Sequence, residues 1–190
     1  MRILKMSEII DLNEDLSPAI SALAHSLSAE IGDDNLPSDK FENVANVLLN
    51  GLLDFPKIKA KLSSLIMDGN ICIWGKDPEQ LQILYHATSS SDKGKPHDHG
   101  TSWALYFQVT GVTYMDIYKD ALGKNLANEA QKVTLDKTIQ MQPGDGIYFP
   151  PGSVHSAAHP TAPASWIRLT GQELSKLPRS AYDENTGFKI

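Results

Sequence analysis

The chain has 190 residues, of which 41% are hydrophobic and 21% charged, and its net charge at pH 7 is −6. This length and composition predict one globular domain with a sizeable core. The acidic balance argues against nucleic acid and anionic membranes as main partners, because both attract basic surfaces. The single cysteine, Cys72, excludes an internal disulfide and a cysteine-based zinc site.

The sequence shows no sign of export or of membrane insertion. No apolar run approaches the roughly 18 residues that a transmembrane helix needs. Acidic residues stand near the N-terminus in place of a long apolar stretch, so no signal peptide is recognised. We therefore expect a cytoplasmic protein that binds no membrane.

The first 69 residues have the pattern of helices. Over 7–31, apolar side chains recur at spacings of three, four or their multiples. A loop is predicted over 32–38, and Ser38 can cap a second helix that begins at Asp39. The apolar stripe predicted for that helix consists of Phe41, Val44, Val47, Leu48 and Leu52. The pattern continues over 58–66, so we predict a helical segment over 1–69 that packs on the remainder of one structural domain.

From residue 70 the hydrophobic period changes to two, the period of a strand. Short candidate strands follow at 71–75, 80–88, 103–109, 112–118, 131–140, 146–149, 154–158 and 165–170. Gly111 is the predicted hairpin turn between two of them. Successive short strands without intervening helices indicate an all-β sandwich or barrel over 70–190.

Two histidines in the polar stretch before the third strand have the spacing of metal ligands. His97 and His99 are two residues apart, so in a strand their imidazoles point to the same face. Imidazole is the commonest protein ligand for zinc, copper, iron and nickel. This stretch resembles the first motif of the cupin superfamily, with Gly94 before the pair and Gly111 at its end. Ala104 stands where that motif has a glutamate.

A second stretch resembles the second cupin motif. Gly144, Pro150, Gly152 and His155 match its spacing, and His159 stands at its asparagine position. The resemblance implies an all-β cupin fold, a double-stranded β-helix or jelly-roll barrel, with an N-terminal helical segment. It covers about residues 70 to 170 and implies that His155 joins the earlier pair as a metal ligand.

The missing glutamate indicates a branch of the superfamily. Cupins with an intact motif bind metal through three histidines and one glutamate, whereas His97, His99 and His155 come without a carboxylate at Ala104. This pattern resembles the cysteine dioxygenase type, the thiol dioxygenases, which hold iron(II) with three histidines. The resemblance implies a non-haem iron(II) dioxygenase that adds both atoms of O2 to a small thiol or related small organic substrate.

Several alternatives stay open at this point. Imidazole also suits zinc and nickel, and manganese is a further candidate, so the residues alone do not name the metal. Another three-histidine cupin enzyme, such as a β-diketone-type dioxygenase that cleaves C–C bonds, a lyase or an isomerase, fits the same pattern. A cupin that binds a metal or small molecule without turnover also fits. The partners expected are a small-molecule substrate and O2, and both a monomer and a homodimer are compatible with the sequence.

Strand alternation gives the candidate pocket residues. If Ala104 faces the metal, Tyr106 and Gln108 face it too, and Leu84 and His86 share one face of their own strand. We expect His86 and Tyr106 to be catalytic. Leu84, Ala104 and Gln108 are the candidate substrate-binding residues.

Arg168 is the remaining candidate for substrate binding. Thiol dioxygenases hold the substrate carboxylate with an arginine on or near an early strand, and the early strands here contain none. A planar guanidinium is the preferred partner of a carboxylate, which makes Arg168, on the last predicted strand, the one plausible replacement. However, Ile167 and Leu169 lie on the opposite face of the strand from Arg168, and their apolar side chains favour the inward face. That choice predicts Arg168 on the surface and a small effect of its removal.

Overall fold

The computed structural model describes residues 23–32, 36–54, 71–77, 81–123 and 129–190. The helical pattern predicted over 7–22 and 58–66 lies outside these ranges. The described helix α1 spans Phe41–Leu53. A short 3-10 helix, Leu174–Lys176, follows the last strand. Within the described ranges, no helix combines the length and apolar character that crossing a bilayer requires.

Eight strands form where period-two patterns predicted them. They are β1 (Ile71–Asp77), β2 (Leu81–Thr88), β3 (Ala104–Thr110), β4 (Thr113–Asp120), β5 (Val133–Met141), β6 (Gly146–Phe149), β7 (Val154–Ala158) and β8 (Ala164–Thr170). They build two antiparallel sheets, a five-stranded sheet in the order β1-β2-β8-β3-β6 and a three-stranded sheet in the order β5-β4-β7.

The turn between β3 and β4 is the hairpin predicted at Gly111. Its φ angle is 70°, in the left-handed region that glycine adopts without strain. A Cβ atom at this position would lie 2.7 Å from the Pro163 carbonyl oxygen and 2.9 Å from the Ala164 Cα. Both the backbone conformation and the close approach of another segment therefore require glycine here.

Helix α1 covers the outer face of the five-stranded sheet. Its Phe41, Ala45 and Leu49 are at most 1% exposed and pack against apolar side chains of β2, β3 and β8. The predicted stripe was wrong at Val47, which is 72% exposed. The buried positions recur every four residues and include a small residue, because alanine at position 45 lets the helix approach the sheet closely.

Replacing Leu49 by alanine tests this arrangement. The side chain is fully buried between α1 and the sheet, so the truncation should lower the free energy of unfolding by about 2–5 kcal/mol. Denaturant unfolding measures the change. Val47→Ala is the matched control on the same helix, and its effect should stay within about 0.5 kcal/mol because the side chain is exposed. A larger effect at Val47 than at Leu49 would contradict the packing.

A second apolar cluster fills the space between the two sheets. It joins Ala104 and Tyr106 of β3 and Phe149 of β6 to Met115 of β4 and Met141 of β5. The five-stranded sheet thus has two covered faces, one against the helical part and one towards the barrel interior. This interior face of β2, β8 and β3 is called the inner face below.

Two facing antiparallel sheets with few helices confirm the predicted all-β jelly-roll barrel with a short N-terminal helical part. The described portion of the N-terminal part lies against the sheet, not across the end of the barrel. The division of one structural domain into a segment over 1–69 and a barrel over 70–190 stays a prediction.

Candidate metal centre

Three histidines from two parts of the chain meet at one end of the barrel. His155 lies in β7, and its backbone exchanges two hydrogen bonds of 3.0 Å with His97, N–H to carbonyl in both directions. His97 and His99 belong to the segment before β3 and lie outside the eight strands, so strand alternation does not itself orient their side chains. The isolated bridge to His155 positions them instead.

The three imidazoles nevertheless point into one space, as their spacing predicted. Their possible ligand atoms all lie within 4.8 Å of one another. The ring centroids of His97 and His155 are 4.9 Å apart, and those of His99 and His155 are 4.8 Å apart. His99 and His155 are buried and His97 is half-buried, which leaves the cluster close to the outside on one side.

Backbone carbonyls fix the tautomer of two of the rings. His97 Nδ1 lies 2.9 Å from the Lys95 carbonyl oxygen, and His155 Nδ1 lies 3.4 Å from that of Ser153. A carbonyl accepts only, so each Nδ1 carries the proton and donates. The Nε2 lone pairs then face the shared space, in the arrangement by which metal-binding histidines are oriented.

The electrostatic environment keeps these rings neutral. Burial lowers the pKa of His97, of His99 and of His155, and for His155 to about 3. Each ring also lies near other imidazoles or the Arg168 guanidinium, which further disfavour a second positive charge. Neutral imidazole is the form that binds a metal ion, so the cluster is ready to do so at pH 7.

The donor set fits a metal ion. Two nitrogens on one ion are at most about 4.2 Å apart, given bonds near 2.1 Å, so small side-chain rotations from the 4.8 Å spacing suffice. Among the described residues no carboxylate joins the cluster. Asp98 stands between two of the histidines but turns away, and its side chain accepts hydrogen bonds from the backbone N–H groups of Gly100 and Ser180. Ala104 is 1% exposed and packs in the interior cluster.

This donor set predicts nitrogen-only protein ligation of a bound metal. X-ray absorption spectroscopy of the metal-loaded protein should show histidine nitrogen neighbours and no carboxylate from the protein. A carboxylate oxygen of the protein at roughly 2.0–2.2 Å from the metal would contradict it.

Tyr106 reaches the cluster from β3. Its hydroxyl lies 3.2 Å from Nε2 of His99 and 3.2 Å from Nε2 of His155, and it is also hydrogen-bonded to the Arg168 side chain. Burial raises the pKa of Tyr106, and the nearby guanidinium opposes that rise only in part. The hydroxyl therefore stays protonated at neutral pH, beside the atoms that would hold the metal.

Arg168 lies on the inner face, so the surface position predicted for its side chain was wrong. Its neighbours Ile167 and Leu169 are 0% exposed and pack in the cluster that includes Phe41 and Leu49 of α1. In the sheet, Arg168 is paired with Tyr106 on one side and with Leu84 on the other. The apolar pair satisfies its preference for burial on the face covered by α1, which leaves the inner face to the guanidinium.

One row further along the inner face, three side chains lie on adjacent strands. His86, Trp166 and Gln108 are cross-strand partners on β2, β8 and β3. The His86 and Trp166 rings are stacked at 5.2 Å, and His159 also stacks on Trp166, at 4.4 Å. Burial lowers the pKa of His86 well below its usual range, with the Arg168 charge as the next cause, so His86 is neutral.

Three buried polar atoms of this region have no hydrogen-bond partner in the protein: His86 Nε2, Gln108 Oε1 and Arg168 Nε. All three residues lie on the inner face, within two rows of the sheet. Unpaired polar atoms in a buried position cost free energy unless a ligand or water satisfies them. These unsatisfied polar positions are concentrated beside the histidine cluster.

The structure thus brings together all the residues predicted for the pocket. His86 and Leu84 share the inner face of β2, Tyr106 and Gln108 share that of β3, and Arg168 lies between them on β8. The stacking role of Trp166 was not predicted. Its signal was available, because Trp166 is two residues from Arg168 and must share its face. His159 contacts Thr113 and Trp166 and lies outside the metal cluster.

Comparison with known proteins gives structural neighbours and no sequence relatives. No family model and no curated protein matches the sequence. The similar solved structures include KdgF from Halomonas sp., with 17% identity, 54% of this chain and 77% of that chain covered, and a TM-score of 0.42. A cupin superfamily protein from Desulfitobacterium hafniense has 14% identity, 59% and 87% coverage and a TM-score of 0.44.

A further similar structure is a cupin-2 domain protein from Shewanella frigidimarina, with 12% identity, 60% of this chain and 90% of that chain covered, and a TM-score of 0.44. At such identities and scores the likeness carries no argument about activity. The fold assignment depends on the two sheets described above, and the chemistry depends on the side chains of this chain.

Proposed function

We propose that this chain is a metal-dependent cupin oxygenase, a non-haem iron(II) dioxygenase of the cysteine dioxygenase type, which acts on a small thiol or related small organic substrate. The observation that carries the proposal is the convergence of three neutral imidazoles on one space without a carboxylate, next to an inward arginine. His97, His99 and His155 are the proposed metal ligands.

The absence of a carboxylate from the cluster, among the described residues, supports an open metal site. With three neutral ligands, a bound iron(II) ion would keep its full dipositive charge and open coordination positions. Such an ion would supply dioxygen activation once an anionic donor binds. A closed structural site would instead fill its positions with protein groups. In the proposed reaction both atoms of one O2 molecule join the substrate sulfur, so that a thiolate RS⁻ becomes a sulfinate RSO2⁻ without an external reductant.

The surrounding residues bind and orient the substrate. The Arg168 guanidinium holds an anionic group close to the three histidines, since it already reaches the Tyr106 hydroxyl. Tyr106 keeps its proton and donates a hydrogen bond at the reacting end. Ala104 and Leu84 offer apolar side chains on the same face, and Ala104 leaves the room that a larger residue would take.

A second candidate is a three-histidine lyase or isomerase. The observation that favours it is His86, a buried neutral imidazole whose Nε2 has no partner and which lies one row from Arg168. Such a group can accept a proton from a bound substrate. In the dioxygenase His86 would instead hydrogen-bond a remote part of the substrate.

Oxygen uptake separates these functions. Iron(II)-loaded protein is tested against a panel of small thiols and β-diketones in an oxygen electrode. Uptake with a thiol, with sulfinate as product, supports the proposal. Uptake with a diketone instead indicates a carbon–carbon-cleaving dioxygenase. No uptake with any of them, from protein that holds iron, contradicts a dioxygenase and leaves the lyase, the isomerase or a binding protein without turnover.

Tyr106→Phe tests the proposed role of the hydroxyl. The variant keeps the ring in the interior cluster but loses the contacts to His99, His155 and Arg168. We expect full metal content and a kcat lower by at least about tenfold, a conservative bound because positioned proton donors typically contribute about 10²–10⁴-fold. Tyr114→Phe is the control, because Tyr114 is 39% exposed on the other sheet. Equal kcat values for the two variants would contradict a catalytic Tyr106.

A further inference from the structure

The inner face carries two polar levels of different character, and the second one restricts the substrate. At the first level, Arg168 and Tyr106 are paired beside the histidine cluster. At the second level, two residues further along each strand, His86, Trp166 and Gln108 are paired. Two residues of a strand span roughly 6.8 Å, which is the length of a short carbon chain. A substrate anchored at Arg168 can therefore reach the second level.

The side chain of Gln108 presents an acceptor there. Its Nε2 donates a hydrogen bond of 2.7 Å to the Thr110 carbonyl oxygen. A carbonyl cannot donate, so the amide orientation is fixed and Oε1 faces the other way. Gln108 is 1% exposed and its Oε1 has no partner in the protein. A ligand group that satisfies Oε1 must therefore be a hydrogen-bond donor.

The charges nearby decide which kind of donor fits. Arg168 is a fixed cation on the neighbouring row, and no carboxylate among the described residues faces it. The three buried carboxylates all bond elsewhere: Asp98 to Gly100 and Ser180, Asp116 to Lys93 and Thr138, and Asp120 to the Leu122 N–H. Once the substrate carboxylate pairs with Arg168, an ammonium group at the second level would be buried among uncharged side chains, and no carboxylate of the described residues would serve as its own counter-ion. A neutral hydroxyl needs no counter-ion.

The aromatic rings of this level also favour a neutral ligand group. Trp166 is stacked by His86 and by His159, which makes a flat, mostly apolar wall. His86 is 8% exposed, neutral and unpaired at Nε2, so it offers a second uncharged hydrogen-bond position next to that wall. This level is built for a neutral polar group and not for a charged one.

Resting on the proposed function, we propose that the substrate is a small carboxylate that carries a neutral hydrogen-bond donor, such as a hydroxyl, at the end away from the metal, and is not an amino-acid zwitterion. Arg168 binds its carboxylate, Gln108 Oε1 accepts from its hydroxyl, and His86 lines the same position. The selection takes place at Gln108, which is a specificity-determining residue.

Binding of unreactive analogues tests this without turnover. Iron(II)-loaded protein under nitrogen is titrated calorimetrically with butanoate, 4-hydroxybutanoate and 4-aminobutanoate, and with the corresponding 3-substituted acids. These ligands match in size and differ in one group. We expect a hydroxy acid to bind at least about tenfold tighter than its amino counterpart and at least about threefold tighter than butanoate.

Variants at Gln108 sharpen the result. Gln108→Leu should remove the preference for hydroxyl over hydrogen, and Gln108→Glu should reverse the preference towards the amino acid by supplying the missing counter-ion. Gln140→Leu is the matched control, since Gln140 is exposed on β5 of the other sheet and should leave all affinities unchanged. Thermal unfolding and metal content, measured on each variant, identify any that fails to fold.

The outcomes separate the inference from the function on which it rests. An amino acid that binds as tightly as its hydroxy counterpart, with affinity lost in Arg168→Met, overturns the inference and keeps the carboxylate site. Affinities that do not change in Arg168→Met overturn both the inference and the carboxylate-binding role of Arg168. A hydroxyl preference that survives Gln108→Leu overturns the assignment to Gln108.

Discussion

Replacing His99 or His155 by alanine is expected to lower the metal bound by the purified protein at least about tenfold, and His97→Ala should do the same. Each ring supplies one of three ligand atoms that lie within 4.8 Å of one another. No other group of histidine, cysteine or acidic side chains in the described residues could take the lost place. Loss of groups that merely orient a ligand already costs about 10–100-fold in affinity, so loss of a ligand should cost no less.

Elemental analysis of the purified variants measures this effect. His159→Ala is the matched control, because His159 is also a buried histidine close to the barrel interior but contacts Thr113 and Trp166 instead of the cluster. Its metal content should equal that of the unmodified chain. Full occupancy in two of the three cluster variants would show that the ion lies elsewhere.

The histidine cluster could be predicted because it depends on local spacing and on one recurring pattern. His97 and His99 are two residues apart, and the turn that precedes β7 carries Pro150 and Gly152 at fixed distances from His155. The pair lies outside the strands, in an irregular segment whose His97 forms isolated bridges to His155 and to Ala181. The three imidazoles still converge, because the two backbone hydrogen bonds between His97 and His155 impose the orientation that a strand would give.

The strands were predictable for a similar local reason, whereas the face of β8 was not. Alternation shows that Trp166 and Arg168 share one face and that Ile167 and Leu169 share the other. It does not show which face is inside, because both faces of this sheet are covered. Only the tertiary packing of α1 against Ile167 and Leu169 decides, and sequence periodicity carries no information about that contact.

The same limit explains the error on α1. The predicted stripe combined spacings of three and four, which selected Val47 and passed over Ala45 and Leu49. Close packing on a flat sheet favours a small residue at the point of nearest approach, and the burial of Ala45 at 0% follows from that. The buried row keeps a spacing of four, from Phe41 to Ala45 and Leu49, and the predicted row left it after Phe41.

The corrected face of β8 reverses the effect expected at Arg168. With the guanidinium on the inner face, beside Tyr106 and the histidine cluster, Arg168→Met should lower kcat/KM for a carboxylate-bearing thiol by at least about hundredfold. That ratio corresponds to about 2.7 kcal/mol of transition-state stabilisation. The size follows from the loss of a charge-assisted, bidentate contact in a site that water reaches poorly.

The side chain of Arg168 has a further property that supports a large effect. Its Nε is buried without a partner in the protein, so part of the guanidinium fork is free to bind a ligand. Arg168→Lys keeps the positive charge but loses the planar fork, and it should recover only part of the activity. Neither variant should change the metal content, because Arg168 supplies no ligand atom to the cluster.

Two substrates and a second arginine make the measurement specific. The kcat/KM of each variant is compared for 3-sulfanylpropanoate and for propane-1-thiol, which has no carboxylate; the second should change by less than about tenfold. Arg179→Met is the matched control for charge, since Arg179 is exposed and yet acts on the pKa of His97 from outside the inner face. It should cost less than about tenfold with either thiol. If Arg168→Met behaves like Arg179→Met, the guanidinium on the inner face supports the barrel electrostatically and does not bind the substrate.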